Sequence, residues 1–139
     1  MLSIEEAQEK ILVDVPLAPT VSVPLGDAYG RVLASAVVSP RDVPPWDNSA
    51  MDGYAVRAAD TIDGDVSLQV LEVVGAGQMP KHTVGAGTVS GVMTGAPLSP
   101  GADAVVMVED TDRSMAGVVR IRGRARPGQH IRRRGSDVA

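Results

Sequence analysis

The sequence predicts an α+β protein that is mostly β, and three observations carry that reading. Valine and alanine dominate the apolar residues of the 139-residue chain, which has no phenylalanine and only Tyr29, Trp46 and Tyr54 as aromatics; small branched side chains favour strands. Fifteen glycines and ten prolines cut any long helical pattern, which excludes a helical bundle or coiled coil. A single helix start is written at the N-terminus, where Ser3 followed by Glu6 forms a capping box.

Ile4, Ala7, Ile11 and Leu12 then share one face of a helix that ends before Pro16. Thr20 to Pro24 alternates apolar with polar and reads as a strand. Leu25 to Tyr29, with Gly30 behind it, reads as a single helical turn, and Arg31 to Val38 as another strand. Ser39 to Gly53 carries three prolines and three aspartates, so it cannot stay regular and places a domain boundary near residues 45–50. From Tyr54 to about Arg126, valine-rich runs at Ser67–Val74, Gly87–Met93, Ala104–Glu109 and Gly117–Arg122 alternate with glycine-rich turns. That spacing predicts a compact β-rich domain, a small barrel or a folded-over sheet.

Charge is unevenly placed. Residues 1–112 hold five basic against sixteen acidic side chains, whereas residues 113–139 hold eight arginines and one acid, Asp137. Arg120, Arg122 and Arg124 alternate with Val119, Ile121 and Gly123, the period of a half-exposed strand with a solvated face. Arg132, Arg133 and Arg134 do not alternate and are the better candidates for an anion contact. Residues 113–139 contain no aromatic to interleave with the arginines, and the rest of the chain is acidic, so no nucleic acid is expected. No apolar run approaches the ~18 residues of a membrane span and the N-terminus is acidic, so the expected location is cytoplasmic, with no membrane partner. With no cysteine there is no disulfide framework and no thiolate nucleophile. His82 and His130 lack ligand spacing and read as surface residues.

Three segments carry candidate chemistry. In Asp47-Asn-Ser-Ala-Met-Asp-Gly53, Asn48 and Ser49 can cap backbone amides. Asp52 can either close its own turn or present a carboxylate to a cation or water. In Met93-Thr-Gly-Ala-Pro97, small neighbours let backbone approach a ligand, with the Thr94 hydroxyl and nearby amides as donors, or form a turn closed by proline. Asp103 in the stretch that follows reads as a turn residue, and Glu109 as a strand-end carboxylate. In Arg132-Arg-Arg-Gly-Ser-Asp137, three arginines can grip an oxyanion while Asp137 holds a metal or orients an arginine. A solvated tail would read similarly.

Val37-Val-Ser-Pro-Arg-Asp-Val-Pro-Pro-Trp-Asp-Asn-Ser-Ala-Met-Asp-Gly-Tyr-Ala-Val56, Met93-Thr-Gly-Ala-Pro97 with Gly101-Ala-Asp-Ala-Val-Val-Met-Val-Glu109, and Gly128-Gln-His-Ile-Arg-Arg-Arg-Gly-Ser-Asp137 together resemble the N-terminal region of the molybdopterin molybdenumtransferases, the MoeA and gephyrin E-domain family. The order and separation match over essentially the whole chain. Trp46 is the visible departure, since the family more often carries another residue before Asp-Asn-Ser.

The resemblance implies the last step of molybdenum cofactor synthesis. In that step adenylyl-molybdopterin is hydrolysed and molybdate enters the dithiolene, with Mg2+ assisting. It further implies a cytoplasmic homodimer that works with the molybdopterin adenylyltransferase. The family's functional aspartate, threonine and second aspartate fall on Asp52, Thr94 and Asp137, with Asn48, Ser49, Gly95, Arg132, Arg133 and Arg134 as substrate-binding neighbours and the metal ligand left open. It implies a split first domain: residues 1–48 as its first arm, 49–127 as the inserted β-rich domain and 128–139 as the start of the return, with the first arm packing on the returning segment. The family's third and fourth domains do not follow Asp137, so the resemblance implies part of a protein of roughly 400 residues. The other reading is a dimerising scaffold that docks partners without catalysis of its own.

Overall fold

The structure is a computed structural model that describes residues 2–139, the side chain of Ser114 excepted. It is mostly β with one α-helix, and falls into two compact units, one up to Val38 and one over Ser39–Ala139.

In the first unit, helix α1 spans Ile4–Leu12. The Ser3 hydroxyl accepts from the Glu6 amide at 3.1 Å and the Glu6 carboxylate accepts from the Ser3 amide at 2.8 Å, so two otherwise orphaned donors are satisfied reciprocally. A 3-10 turn follows at Leu25–Asp27. The strands expected at Thr20–Pro24 and Arg31–Val38 are not formed. Thr20–Pro24 has the alternation of a strand and Arg31–Val38 its apolar content, but neither has a ladder partner among the described residues, and a lone strand leaves its backbone donors and acceptors to water. Their apolar side chains are correspondingly exposed, Val32 by 95% and Leu33 by 72%. No described helix is long and apolar enough to cross a membrane.

The second unit holds β1 (Asn48–Ser49), β2 (Gly53–Val56), β3 (Asp65–Val74), β4 (Thr88–Val92), β5 (Ala104–Met107), β6 (Thr111–Met115), β7 (Val118–Arg122) and β8 (Ile131–Arg132). Six of these form one sheet in the order β5-β2-β4-β3-β7-β6; β1 and β8 pair separately. All pairings are antiparallel except β3 with β4.

The sheet is curled. β2 and β6 stand four places apart, which in a flat sheet would separate them by ~19 Å. Yet the Arg113 guanidinium on β6 lies 5.5 Å from the centre of the Tyr54 ring on β2. Tyr54, Val56, Leu68, Val89, Val106, Val119 and Ile121 fill the inside of the curl. The alternation of β7 is as the sequence requires: Val119 and Ile121 are fully buried while Arg120 and Arg122 point outward. Arg120 makes a two-pronged ion pair with Asp65 and Arg122 reaches Asp112 at 3.4 Å. Arginine thus solvates one face of the strand without disturbing the other.

A second apolar cluster positions the functional segments. Ala55, Val74, Val92, Ala96 and Val105 are buried together, with Leu98 and Ile131 packed against them. Because β2 is buried along its whole length, Tyr54 and Val56 serve the first core while Ala55 serves the second. The loop through Ala96 and the segment through Ile131 therefore rest on the same patch.

Candidate functional site

Asp52 precedes β2 and Thr94 follows β4, and the antiparallel pairing of Gly53 with Val92 brings these strand ends together. The Asp52 carboxylate does not close its own turn. Its Oδ1 accepts from the Thr94 amide at 2.7 Å and from the Thr94 hydroxyl at 2.8 Å, leaving Oδ2 unbonded among the described residues. Those two donors, the amide foremost, hold the Asp52 carboxyl below the usual carboxylate range. Both side chains are exposed. The pair is therefore an ionised carboxylate, fixed in direction, with one free oxygen at the surface.

The amides beside Thr94 are spoken for. Met93 donates to Val74, Thr94 to Asp52, Gly95 to Ser49 and Ala96 to Met93. Of the two readings the sequence left open, the amides follow the turn, since each of the four closes an internal bond. Gly95 adopts φ +82°, which the turn requires, and beyond its chain neighbours no other protein atom stands within 4 Å of where its Cβ would be.

Residues 47–49 are where the three sequence segments meet. On one side β1 pairs with β8, Asn48 opposite Arg132 and Ser49 opposite Ile131. On the other, Ser49 donates to the Ala96 carbonyl at 3.0 Å and accepts from the Gly95 amide at 2.8 Å, while the Asp47 carbonyl accepts from Leu98 at 3.1 Å. The Ser49 hydroxyl is fully buried and donates to the Met51 carbonyl, which shapes the turn leading to Asp52. Asn48 is 8% exposed and its Oδ1 has no hydrogen-bond partner among the described residues.

The three arginines differ in what they touch. Arg133 Nη1 donates to Asp47 Oδ2 at 2.5 Å, the Arg134 amide donates to Asp47 Oδ1 at 2.8 Å, and the Arg134 guanidinium is paired with Asp42. Arg132 alone of the three has no carboxylate partner among the described residues. Asp137 adjoins the bridge between Val43 and Val138; its amide donates to the Val43 carbonyl at 2.9 Å and its carboxylate accepts from Ser136 at 3.2 Å. No hydrogen bond or ion pair among the described residues joins Asp137 to Asp52 or Thr94.

The sequence reading gave no role to Asp42, in the proline-rich junction, or to Asp47, at the head of the first candidate segment, although carboxylates there and an arginine run near the C-terminus were a visible signal. His82 is exposed, but His130 is half-buried and adopts φ 53°, with its carbonyl accepting from the Ala50 amide at 2.9 Å. Histidine is among the few side chains enriched in that conformation. Asp103 does not close a local turn as expected but reaches across the fold, its carboxylate accepting from the Ala58 amide at 2.6 Å.

Asp47 is also held below the usual carboxylate range, by the Arg134 amide foremost, with burial opposing and the Arg133 guanidinium adding to the effect. A carboxyl depressed in the folded state stabilises the fold above its unfolded pKa of ~3.9, and that stability is lost as pH falls through the lower folded value. Urea unfolding should therefore show a midpoint that is flat near neutrality and falls below about pH 4. Asp47→Asn and Asp52→Asn should each make that acid limb shallower, and unchanged limbs in both would contradict the assignment.

A family model described as the MoeA N-terminal region, domain I and II, matches residues 2–139. The chain belongs to this family. It is 45% identical over 143 residues to molybdopterin molybdenumtransferase 2 of Mycobacterium tuberculosis, covering 100% of this chain and 35% of the relative. It is 36% identical over 139 residues to the molybdopterin molybdenumtransferase of Haemophilus influenzae, covering 99% of this chain and 34% of the relative. The crystal structure of the molybdopterin biosynthesis moeA protein from Pyrococcus horikoshii OT3 superposes with a TM-score of 0.76 at 41% identity, over 84% of this chain and 31% of that one. This MoeA N-terminal region thus spans about a third of the length of the relatives it matches.

Proposed function

We propose that the chain acts in molybdenum cofactor biosynthesis as the N-terminal part of a molybdopterin molybdenumtransferase. The reaction is the hydrolysis of adenylyl-molybdopterin with entry of molybdate into its dithiolene. The observation that carries the reading is the Asp52–Thr94 pair, built by two of the three family-like segments at one exposed edge. An ionised carboxylate with one free oxygen suits holding a cation or orienting water; it is not a proton donor at neutral pH.

Mg2+ is the cation proposed. Among the described residues no three His, Asp or Glu side chains gather into a cage of their own. Mg2+, however, is commonly held by one or two carboxylates together with substrate phosphates and water, and Asp52 Oδ2 fits that mode. When bound, the ion would neutralise charge on the diphosphate; Asp52 fixes one side of it, and Arg132 supplies a free guanidinium for an oxyanion. Asp137 is proposed to act from the return segment, and the partners proposed are molybdopterin adenylyltransferase and a second subunit.

A docking role is the second reading. It rests on the first unit, where Leu17 is 98% and Tyr29 99% exposed although both are large apolar side chains.

The test is complementation of a molybdenumtransferase-deficient bacterial strain by this chain and by the chain joined to the C-terminal two thirds of the Mycobacterium tuberculosis relative. Rescue by the joined protein alone is the expected result. Rescue by neither would favour the docking reading, and rescue by the chain alone would mean that the site does not require further domains.

A further inference from the structure

We propose that Asp47 is a positioning residue for the Asp52–Thr94 pair: its carboxylate ties the return segment to β1, and β1 in turn holds the Thr94 loop in place.

Asp47 touches both neighbours of β1. Its side chain takes the Arg133 guanidinium and the Arg134 amide, while its backbone carbonyl takes the Leu98 amide at the far end of the Thr94 loop. Between these, Ser49 closes the two bonds that fix Gly95 and Ala96. Thr94 is the next residue back, and its amide and hydroxyl must both point at one oxygen of Asp52. A slip of β1 along β8 would move Ser49 and with it the Gly95 and Ala96 contacts.

β1 and β8 are two residues long, each too short to fix register by ladder bonds alone. Register is fixed instead by side chains and by a row of single bonds. The Ala50 amide donates to His130, Gly135 to Pro44, Asp137 to Val43 and Val43 to Val138. Within that row the bonds to Asp47 are charge-assisted, the stronger kind, and the Arg134–Asp42 pair reinforces them from the adjacent turn. On this assignment Arg133 and Arg134 belong to the scaffold of the site.

The functional weight of this placement rests on the roles proposed for Asp52 and Thr94, but the geometry is testable without them. Amide hydrogen exchange, residue by residue, is measured on the chain and on Asp47→Asn. In that variant an amide nitrogen faces the Arg133 guanidinium, donor against donor. The Thr94, Gly95 and Ser49 amides are expected to exchange on the order of tenfold faster, as for loss of one charged hydrogen bond. The Val119 and Ile121 amides of β7 should change less than about twofold. Asp65→Asn, which removes the exposed Arg120 pair on the far side of the sheet order, should leave the Thr94, Gly95 and Ser49 amides unchanged.

Arg133→Gln keeps the acceptor for the Arg134 amide and should accelerate the same three amides by a smaller factor, which also serves if Asp47→Asn folds poorly. Equal acceleration of Thr94 and Val119, or an unchanged Thr94, would overturn the proposal. Because exchange reads geometry alone, either outcome leaves the transferase reading to complementation.

Discussion

Asp52→Asn, placed in the protein completed with the relative's C-terminal domains, is expected to lower molybdenum insertion by about 100-fold or more while lowering the urea midpoint at pH 7 only slightly, by the small share that the exposed carboxylate contributes there. The substitution is close to isosteric, and its carbonyl oxygen can still accept from the Thr94 amide and hydroxyl. What disappears is the negative charge on the free oxygen. Thr94→Ala tests the other half. It removes the hydroxyl donor but keeps the backbone donor, so Asp52 loses one of the two contacts that favour its ionised form. A smaller loss of rate is expected, largely restored by Thr94→Ser, with the pH profile moving toward higher pH because an Asp52 less depressed needs a higher pH to ionise. Full activity in Asp52→Asn would sink the assignment; unfolding of both variants would reduce the pair to a structural contact.

How much of this arrangement was readable in the sequence depends on the distance over which each contact acts. The Ser3–Glu6 cap and the inward Val119 and Ile121 were readable because they are set by residues three or two apart. The strands expected at Thr20–Pro24 and Arg31–Val38 carry the right composition, yet a strand exists only against a partner, and local pattern does not supply one. β2 and β6 were missed for the opposite reason: Gly53–Val56 follows a proline-rich junction and Thr111–Met115 is polar, but curled pairing places both in the sheet. Arg133 and Arg134 read as anion contacts because Asp47 and Asp42 stand 86 and 92 residues away. The motif segments themselves could be picked out; which of their donors were already engaged could not. The amides of Met93 to Ala96 illustrate this, since each is satisfied by a residue or turn that spacing does not reveal.

Gly53→Ala is expected to be a severely damaging substitution in the second unit, and the reason is close contact. A Cβ at residue 53 would lie 1.9 Å from the Val106 carbonyl oxygen and 2.9 Å from its carbon, both backbone atoms. No rotamer can relieve that; β2 must move away from β5. The movement breaks the pairing of Gly53 with Met107 and Tyr54 with Val106, and opens a core on both faces of a fully buried strand. Overpacking in cores ordinarily costs ~1–3 kcal/mol, and a clash against main chain belongs at or above the top of that range. Against a domain stability of ~5–15 kcal/mol, it should appear as a clearly lower Tm or insoluble expression. Gly95→Ala provides the contrast, because open space surrounds its Cβ position and the penalty there is the positive φ, worth about 1–2 kcal/mol. Thermal unfolding of the two variants side by side should rank Gly53→Ala below Gly95→Ala, although Gly95 adjoins Thr94. The reverse order would mean that β2 and β5 approach less closely than the curled sheet requires. With Asp52 immediately before Gly53, it would also remove the backbone constraint that aims the carboxylate at Thr94.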